Sequence, residues 1–433
     1  MKQLCTLFLL IVGSATQAQQ QFTSAQYKED FNYFWKSIDE DYCYFNKKQT
    51  DWAKVKEIYS PRVDTISSRA AFVNLLEDVF TEIYDHHAGL NTNNMNSARL
   101  VPSGSEVWAE YIDGKPIITE VRQDFASEHA YVTAGMEVID INGIPVEKAI
   151  QRYIGKSLKT VDNAALNYAL NVAMAGAHDQ DLKFTLKDRS GKIKEYTPDV
   201  WTGHGQWNGL TGEHYTYGSM VEGKIMGNIG YVKLNNCLGD NDMIPLLDSV
   251  MQTMLGTSGL VLDLRETPSG GNTTVARAIL GWFTNKEQFY QKHELYAEGK
   301  QTGIQRSWVE IVSPRAGKYY SKPMVVLADH WTGSIAEGIT IAFHGMKRAK
   351  IIGTTMARLN GANYTYTLPN TKINCSFPVE RLYHINGTPR EQFVPDMLMD
   401  YTKIPVADKD VALDTAMDVL RQNTKPTNML YQD

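Results

Sequence analysis

A chain of 433 residues with 43% hydrophobic and 21% charged residues has room for about three domains, each with its own core. Its net charge of −6 argues against nucleic acid and anionic membrane surfaces as binding partners.

The first 18 residues have the composition of a secretory signal peptide. Lys2 supplies a positive start, residues 7–12 an apolar run, and Ala18 closes a small-residue cleavage site. A membrane anchor is the alternative, but the apolar run is well short of the ~20 residues that a span needs. We therefore expect cleavage after Ala18 and an exported protein, periplasmic or secreted, with no membrane span.

Cysteine usage indicates neither a disulfide framework nor a zinc site. After the signal segment the chain keeps Cys43, Cys237 and Cys375, an odd number at wide spacing. We expect these to be small buried residues, and we expect no metal and no cofactor.

Residues 19–95 are predicted to form a helical N-terminal region. Apolar residues recur at helical spacing over 31–38 and again over 72–83, and the second helix runs out at Asp85-His86-His87-Ala88. A histidine at such a place commonly pairs with the helix dipole. Adjacent histidines point in different directions, so at most one of the two can face a given site.

Residues 96–200 change to short alternating runs with turn signals, which predicts a small β domain. Asn142-Gly143 is a strong hairpin signal. The stretch from Gly135 to Val146, G-M-E-V-I-D-I-N-G-I-P-V, resembles the second half of a PDZ domain, whose members bind extended peptides at a sheet edge. Peptide binding and a plain spacer role both stay open for this PDZ-like domain.

Residues 201–433 are predicted to form an α/β core. The stretch 201–212, rich in Gly and Trp, reads as a linker or as a loop over a cleft. From residue 227 onward, apolar strands alternate with amphipathic helices, a pattern typical of a largely parallel sheet covered on both faces.

Ser334 lies where one of these buried strands meets the helix that follows it. Backbone N–H groups are unpaired at a helix N-terminus, and the helix dipole favours negative charge there. Such a place suits a nucleophile whose transition state develops an oxyanion, although a serine at a helix start is often only a cap. Gly270 and Gly271 occupy a similar strand-to-helix turn and lack the spacing of a phosphate-binding loop.

Four stretches together resemble the tail-specific (C-terminal processing) and tricorn-core serine peptidases. They are residues 259–271 (G-L-V-L-D-L-R-E-T-P-S-G-G), residues 326–337 with Ser334 in the nucleophile position, residues 386–396 (N-G-T-P-R-E-Q-F-V-P-D), and the D-H-H-A stretch at 85–88. They follow the family's order along most of the chain. The resemblance implies a crotonase/ClpP-like α/β catalytic domain beside the helical region and the PDZ-like β domain.

The resemblance also implies the site residues. One branch of the family activates its serine with a lysine, but Leu359 stands at that position here, and the neighbouring Arg358 stays protonated. The tricorn-like branch uses a histidine with a supporting glutamate, and a histidine pKa near 6.5 suits proton transfer.

We therefore expect a serine endopeptidase acting on peptides or unfolded proteins. Its catalytic residues would be Ser334, His87 and Glu391, and its oxyanion donors the N–H groups of Gly271 and Ile335, or of Gly270. The alternative is a non-catalytic carrier with an apolar ligand in a crotonase-like cleft, which the Trp- and Gly-rich stretch 201–212 and the aromatic residues Phe283, Phe289 and Tyr290 could line. The oligomeric state does not follow from the sequence.

Overall fold

The structure, a computed structural model, describes residues 22–123, 131–198, 207–208, 213–214, 219–404 and 409–423. The signal segment and most of the Gly- and Trp-rich stretch lie outside these residues. No helix within the described ranges is long and apolar enough to cross a membrane. The helices are α1 Ser24–Asp41, α2 Trp52–Val63, α3 Arg69–Thr81, α4 Val146–Ala149, α5 Asn163–Ala175, α6 Met243–Met254, α7 Thr273–Leu280, α8 Tyr296–Thr302, α9 Ile335–Gly345 and α10 Val411–Asn423.

Nineteen strands in the described residues form three main sheets and one short pair. They are β1 Gly89–Leu90, β2 Val107–Ile112, β3 Lys115–Val121, β4 Glu137–Ile141, β5 Ile144–Pro145, β6 Phe184–Lys187, β7 Ile193–Tyr196, β8 Trp207–Asn208, β9 Glu213–His214, β10 Val221–Met226, β11 Ile229–Leu234, β12 Gly259–Asp263, β13 Gln288–Leu295, β14 Arg306–Val312, β15 Met324–Ala328, β16 Lys350–Gly353, β17 Ala362–Thr367, β18 Asn374–Tyr383 and β19 Met397–Leu398.

The N-terminal helices α1 to α3 form because side-chain caps start them and one face of each is apolar. Thr23, Asp51 and Ser68 each accept a backbone N–H three residues later, which satisfies a donor that the first turn leaves open. Their buried side chains pack together with those of β18, including Cys375 and Phe377. The N-terminal region is therefore built onto the strands that approach the site.

Residues 107–196 form an antiparallel sheet in the order β2-β3-β4-β6-β7, with β5 paired to β4. Two hairpins have positive φ at both central residues, 51° and 77° at Asp113-Gly114 and 53° and 76° at Asn142-Gly143. Positive φ at both positions defines the type I′ turn whose twist fits a two-residue hairpin. The predicted Asn142-Gly143 turn is confirmed, whereas the likeness to a PDZ domain and the boundaries at 95/96 and 200/201 stay predictions.

The core sheet has the order β10-β11-β12-β15-β16-β19, and every pair except β10–β11 is parallel. Alternate residues of its strands face opposite helices, since α6, α7 and α9 share one hydrophobic cluster and α10 belongs to another. The predicted α/β core is confirmed. Loops at the carboxyl ends of β12 and β15 therefore meet at one edge of the sheet, where open α/β sheets bind their ligands.

A second antiparallel sheet, made of β1, β13, β14, β17 and β18, brings remote segments to that edge. Strand β1 begins two residues after His87 and pairs with β18. Strand β17 begins two residues after Asn360 and pairs with the other side of the same part of β18. These pairings carry His87 and Asn360 to neighbouring positions although 273 residues separate them.

Candidate active site

Ser334 occupies a tight turn between β15 and α9. Its φ of +53° and ψ of −110° are unusual for a residue with a side chain, and such strain persists where the surroundings enforce it. Gly270 is part of that enforcement, because a Cβ added there would lie 2.4 Å from the Cβ of Ser334. Glu337, one turn into α9, accepts the Ser334 N–H at 2.9 Å. The serine is thus held at the start of the helix with its Oγ on the cleft.

His87 faces this serine. Its Nε2 lies 3.1 Å from Ser334 Oγ, and its Nδ1 lies 2.6 Å from the backbone oxygen of Asn360. A carbonyl oxygen can only accept, so Nδ1 carries the proton, and in the neutral ring the Nε2 lone pair points at the hydroxyl. The ring of His86 instead stacks on Tyr168 with 4.6 Å between the ring centres.

Asp85 holds His87 and Asn360 together. Its buried carboxylate accepts the His87 N–H at 3.0 Å, the Asn360 side-chain amide at 2.8 Å and the Tyr42 hydroxyl at 2.7 Å. Burial opposes the charge, but Lys48 and the three hydrogen bonds outweigh it and lower the pKa of Asp85 below its ordinary value. The carboxylate therefore stays charged and fixes the backbone of His87 and the side chain of Asn360.

Arg390 lies beneath the site and lowers the pKa of the His87 imidazole. Its guanidinium donates to the backbone oxygens of Ser334, Leu359 and Gly361 at 2.9–3.1 Å. Burial and the positive charge of Arg390 lower the pKa of His87 to about 4. The imidazole is consequently neutral, and able to accept a proton, over most of the pH range in which proteins work.

Glu391 is not brought to the imidazole. It lies in a 3₁₀ turn, Arg390–Gln392, and its Oε1 binds the ammonium of Lys47. Within the described ranges its Oε2 has no hydrogen-bond partner. The structure thus brings Ser334 and His87 together and pairs the predicted supporting glutamate with Lys47, while the carbonyl of Asn360 occupies the orienting position.

Gly270 and Gly271 pass close to the serine. Gly270 has φ of +68°, and its N–H makes a long 3.4 Å bond to Thr267 O. A Cβ at Gly271 would lie 2.0 Å from the backbone oxygen of Leu238, so only glycine fits there. The N–H groups of Gly271 and Ile335 have no acceptor among the residues that the structure describes, which leaves both available to an oxyanion.

Glu337 was not singled out by the sequence reasoning. It is fully buried, its Oε1 has no partner in the described part of the chain, and burial raises its pKa to about 7 despite Arg390, 3.6 Å away. The signal was present, because a serine followed three residues later by glutamate is the pattern of a helix-capping box. The sequence analysis likewise assigned no role to Asp85, although it belongs to the D-H-H-A stretch, or to Asn360, which follows Leu359.

The cleft at Ser334 has a volume of about 340 Å³ and a mostly apolar wall. Leu359 forms part of that wall. No cluster of three metal-ligating side chains occurs among the described residues.

The antiparallel sheet of residues 107–196 contacts both loops that form the site. Arg122, just after β3, makes a buried ion pair with Glu266, at 2.6 Å between Nη2 and Oε2, in the loop that leads to Gly270. Trp331, three residues before Ser334, is fully buried in the core of that sheet and donates to the backbone oxygen of Ser105 at 2.8 Å.

The chain has recognisable relatives. Residues 228–399 match peptidase family S41, and residues 23–81 match the C1 domain of tricorn protease. Solved structures with a similar fold include mature CPAF (15% identity, TM-score 0.61, covering 92% of this chain and 97% of that one). The D1 C-terminal processing protease of photosystem II is similar (17%, 0.54, 91% and 97%), as is a putative peptidase from Parabacteroides merdae (15%, 0.53, 91% and 96%).

The family matches, and the similarity of this fold to the solved structures, agree with the resemblance found in the sequence. The S41 match contains Ser334 and the loop with Gly270 and Gly271, and the tricorn match covers α1 to α3. The chain is therefore a serine-type peptidase that is similar to the tail-specific and tricorn-like members of peptidase family S41, whose family model it matches over residues 228–399.

Proposed function

We propose that the protein is an exported endopeptidase in which Ser334 is the nucleophile and His87 the general base. One observation carries this proposal: His87 Nε2 lies 3.1 Å from Ser334 Oγ while Nδ1 is fixed by Asn360 O. A nucleophile, a base within hydrogen-bond reach and a group that orients the base are the three parts of a serine-hydrolase site.

The reaction follows from this arrangement. Ser334 Oγ attacks the peptide carbonyl carbon and passes its proton to His87 Nε2, and the carbonyl oxygen becomes an oxyanion held by the N–H groups of Gly271 and Ile335. The C–N bond then breaks as His87 gives the proton to the leaving amine. Water, activated by the same imidazole, hydrolyses the acyl-enzyme and restores the serine.

The supporting roles divide between two carboxylates. Asp85 positions the base, because it holds the backbone of His87 and the side chain of Asn360 at once. Glu391 is paired with Lys47 and makes no hydrogen bond to His87, so its support of the base would be electrostatic and indirect.

Export and substrate class complete the proposal. The signal-like residues 1–18 would direct the chain out of the cytoplasm, to the periplasm or the medium. The substrates would be peptides or unfolded proteins. The PDZ-like domain would either bind a peptide end or serve to hold the loops at Arg122 and Trp331.

A serine-directed fluorophosphonate tests the nucleophile. Wild type should be labelled, Ser334→Ala should not, and His87→Ala should be labelled at least 100-fold more slowly. Ser269→Ala is the matched control, since Ser269 lines the same cleft but bonds to Asn236 instead of a histidine. Digestion of β-casein, followed by mass spectrometry, should yield internal fragments. Equal labelling of wild type and Ser334→Ala would refute the assignment.

The carrier alternative loses support from the placement of its aromatic residues. Phe283 and Tyr290 are buried in the core cluster of the parallel sheet, and Phe289 is 60% exposed on β13, so the three do not line one cleft. A carrier also has no use for an imidazole oriented onto a serine.

A further inference from the structure

Strand β1 is an edge strand beside the nucleophile. It follows His87 directly in the chain, and Gly89, Leu90 and Asn91 line the cleft together with Ser334. Its pairing partner is β18, and no other described strand pairs with it. One edge of β1 is therefore open on the side of the cleft.

The register shows which backbone groups point to the open edge. Asn91 donates its N–H to Asn374 O at 3.1 Å, so Asn91 and Asn374 form a hydrogen-bonded pair. Antiparallel pairs alternate between bonded and non-bonded, so Gly89 with Ser376 is bonded and Leu90 with Cys375 is not. The N–H and C=O of Leu90 therefore point away from β18.

These two groups are unused in the described part of the chain. No hydrogen bond outside the β18 ladder is made by the backbone of Leu90. Leu90 itself lines the cleft at Ser334, so a substrate lying in that cleft passes close to these two groups. A donor and an acceptor on the rim of an otherwise apolar cleft suit the backbone of an extended peptide.

We propose that the substrate adds to β1 as an extra strand, with its backbone paired to the N–H and C=O of Leu90. This inference rests on the proposed peptidase function. It defines the substrate as a locally unfolded segment that is held through its backbone. Selectivity for any one substrate side chain should therefore be low. The substrate residue opposite Leu90 cannot be proline or carry an N-methyl group, because its own N–H must reach Leu90 O.

Binding to the inactive Ser334→Ala protein separates this inference from catalysis. The probe is fluorescein-labelled β-casein, an unfolded protein, and the readout is fluorescence anisotropy. Leu90→Pro removes the outward N–H and leaves the ladder to β18 intact, whereas Leu90→Ala changes only the side chain. We expect Leu90→Pro to weaken binding at least tenfold more than Leu90→Ala does. Equal affinities of these two variants would overturn the inference.

The substrate supplies a second test that needs no change in fold. A 12-residue β-casein peptide that Ser334→Ala binds is made with one backbone N-methyl group at each position in turn. One methylated position should lose affinity in the Ser334→Ala protein but lose far less in Ser334→Ala/Leu90→Pro. The N-methyl group removes the bond to Leu90 O, and Leu90→Pro has already weakened the same residue pairing by removing the bond from the Leu90 N–H. Additive losses at every position, or no binding of β-casein by Ser334→Ala, would contradict strand addition. Absence of any hydrolysis by wild type would instead refute the proposed function.

Discussion

The imidazole of His87 is oriented by the backbone oxygen of Asn360, which lies 2.6 Å from Nδ1. Serine peptidases commonly give this position to a carboxylate. Here the carboxylate of Asp85 lies one step further away and holds Asn360 by its side-chain amide. A neutral carbonyl stabilises the imidazolium less than a direct carboxylate would, which agrees with the lowered pKa of His87.

Asp85→Asn should lower kcat by roughly 100-fold or more with little change in KM, because one amide oxygen cannot accept from three donors. The acid limb of the pH profile should also move to lower pH, since the negative charge of Asp85 raises the pKa of His87. Asp64→Asn, at an exposed pair with Lys28, is the control. Equal activity of the two variants would show that Asp85 does not position the base.

Alanine substitutions of the two adjacent histidines should have different effects on kcat and KM. His87→Ala should lower kcat by several orders of magnitude, because nucleophile and base act as a unit. His86→Ala should alter mainly KM and stability, since its ring stacks on Tyr168 and lines the cleft. A dead His86→Ala beside an active His87→Ala would reverse the assignment.

The pH dependence of kcat/KM follows from the pKa of His87. The base must be neutral to accept the serine proton, so activity should rise with pH through about 4 and be lost below it. An unperturbed histidine would place this limb near 6.5. Measuring kcat/KM for a peptide substrate between pH 3 and 9 distinguishes these two values. A limb at 6–7 that persists in Glu337→Gln would contradict the lowered pKa.

Glu337 should make stability depend on pH. Its pKa is about 7 in the folded protein against an ordinary 4.5, so its contribution is full below about 4.5 and is lost as the pH rises through 7. Glu337→Gln cannot ionise. Its Tm relative to wild type should therefore be higher at pH 8 than at pH 5. A difference that does not change with pH would show that Glu337 ionises normally.

Glu391→Gln tests the supporting glutamate of the family pattern. Because Glu391 binds Lys47 and makes no hydrogen bond to His87, its loss should lower kcat by about tenfold or less, well below the effect of Asp85→Asn. Lys47→Met, which removes the partner, should have a similar or smaller effect. A loss of kcat as large as that of His87→Ala would make Glu391 a direct member of the catalytic set.

Much of the catalytic core could be predicted from local patterns. Apolar periodicity placed β15 and α9 on either side of Ser334, and the glycine pair marked the second loop. The polar strands β13 and β14 were missed, because side chains such as Gln291, His293 and Glu310 interrupt the apolar alternation that indicates a strand. The predicted buried cysteines are confirmed.

The orientation of the base could not be predicted in the same way. Asn360 acts through a backbone carbonyl, and any residue type supplies that atom, so no side-chain pattern marks it. The pairing of Glu391 with Lys47 joins residues 344 positions apart and depends on how the N-terminal helices pack against β18. Local sequence contains neither relationship.

The burial of Trp331 limits how far this protein can be truncated. Its indole is covered by the antiparallel sheet of residues 107–196, although its own backbone belongs to the loop that carries Ser334. A fragment trimmed to the parallel sheet would expose this indole and leave Glu266 without its buried cation. Such a fragment should misfold or aggregate, so the smallest active unit must retain the antiparallel sheet.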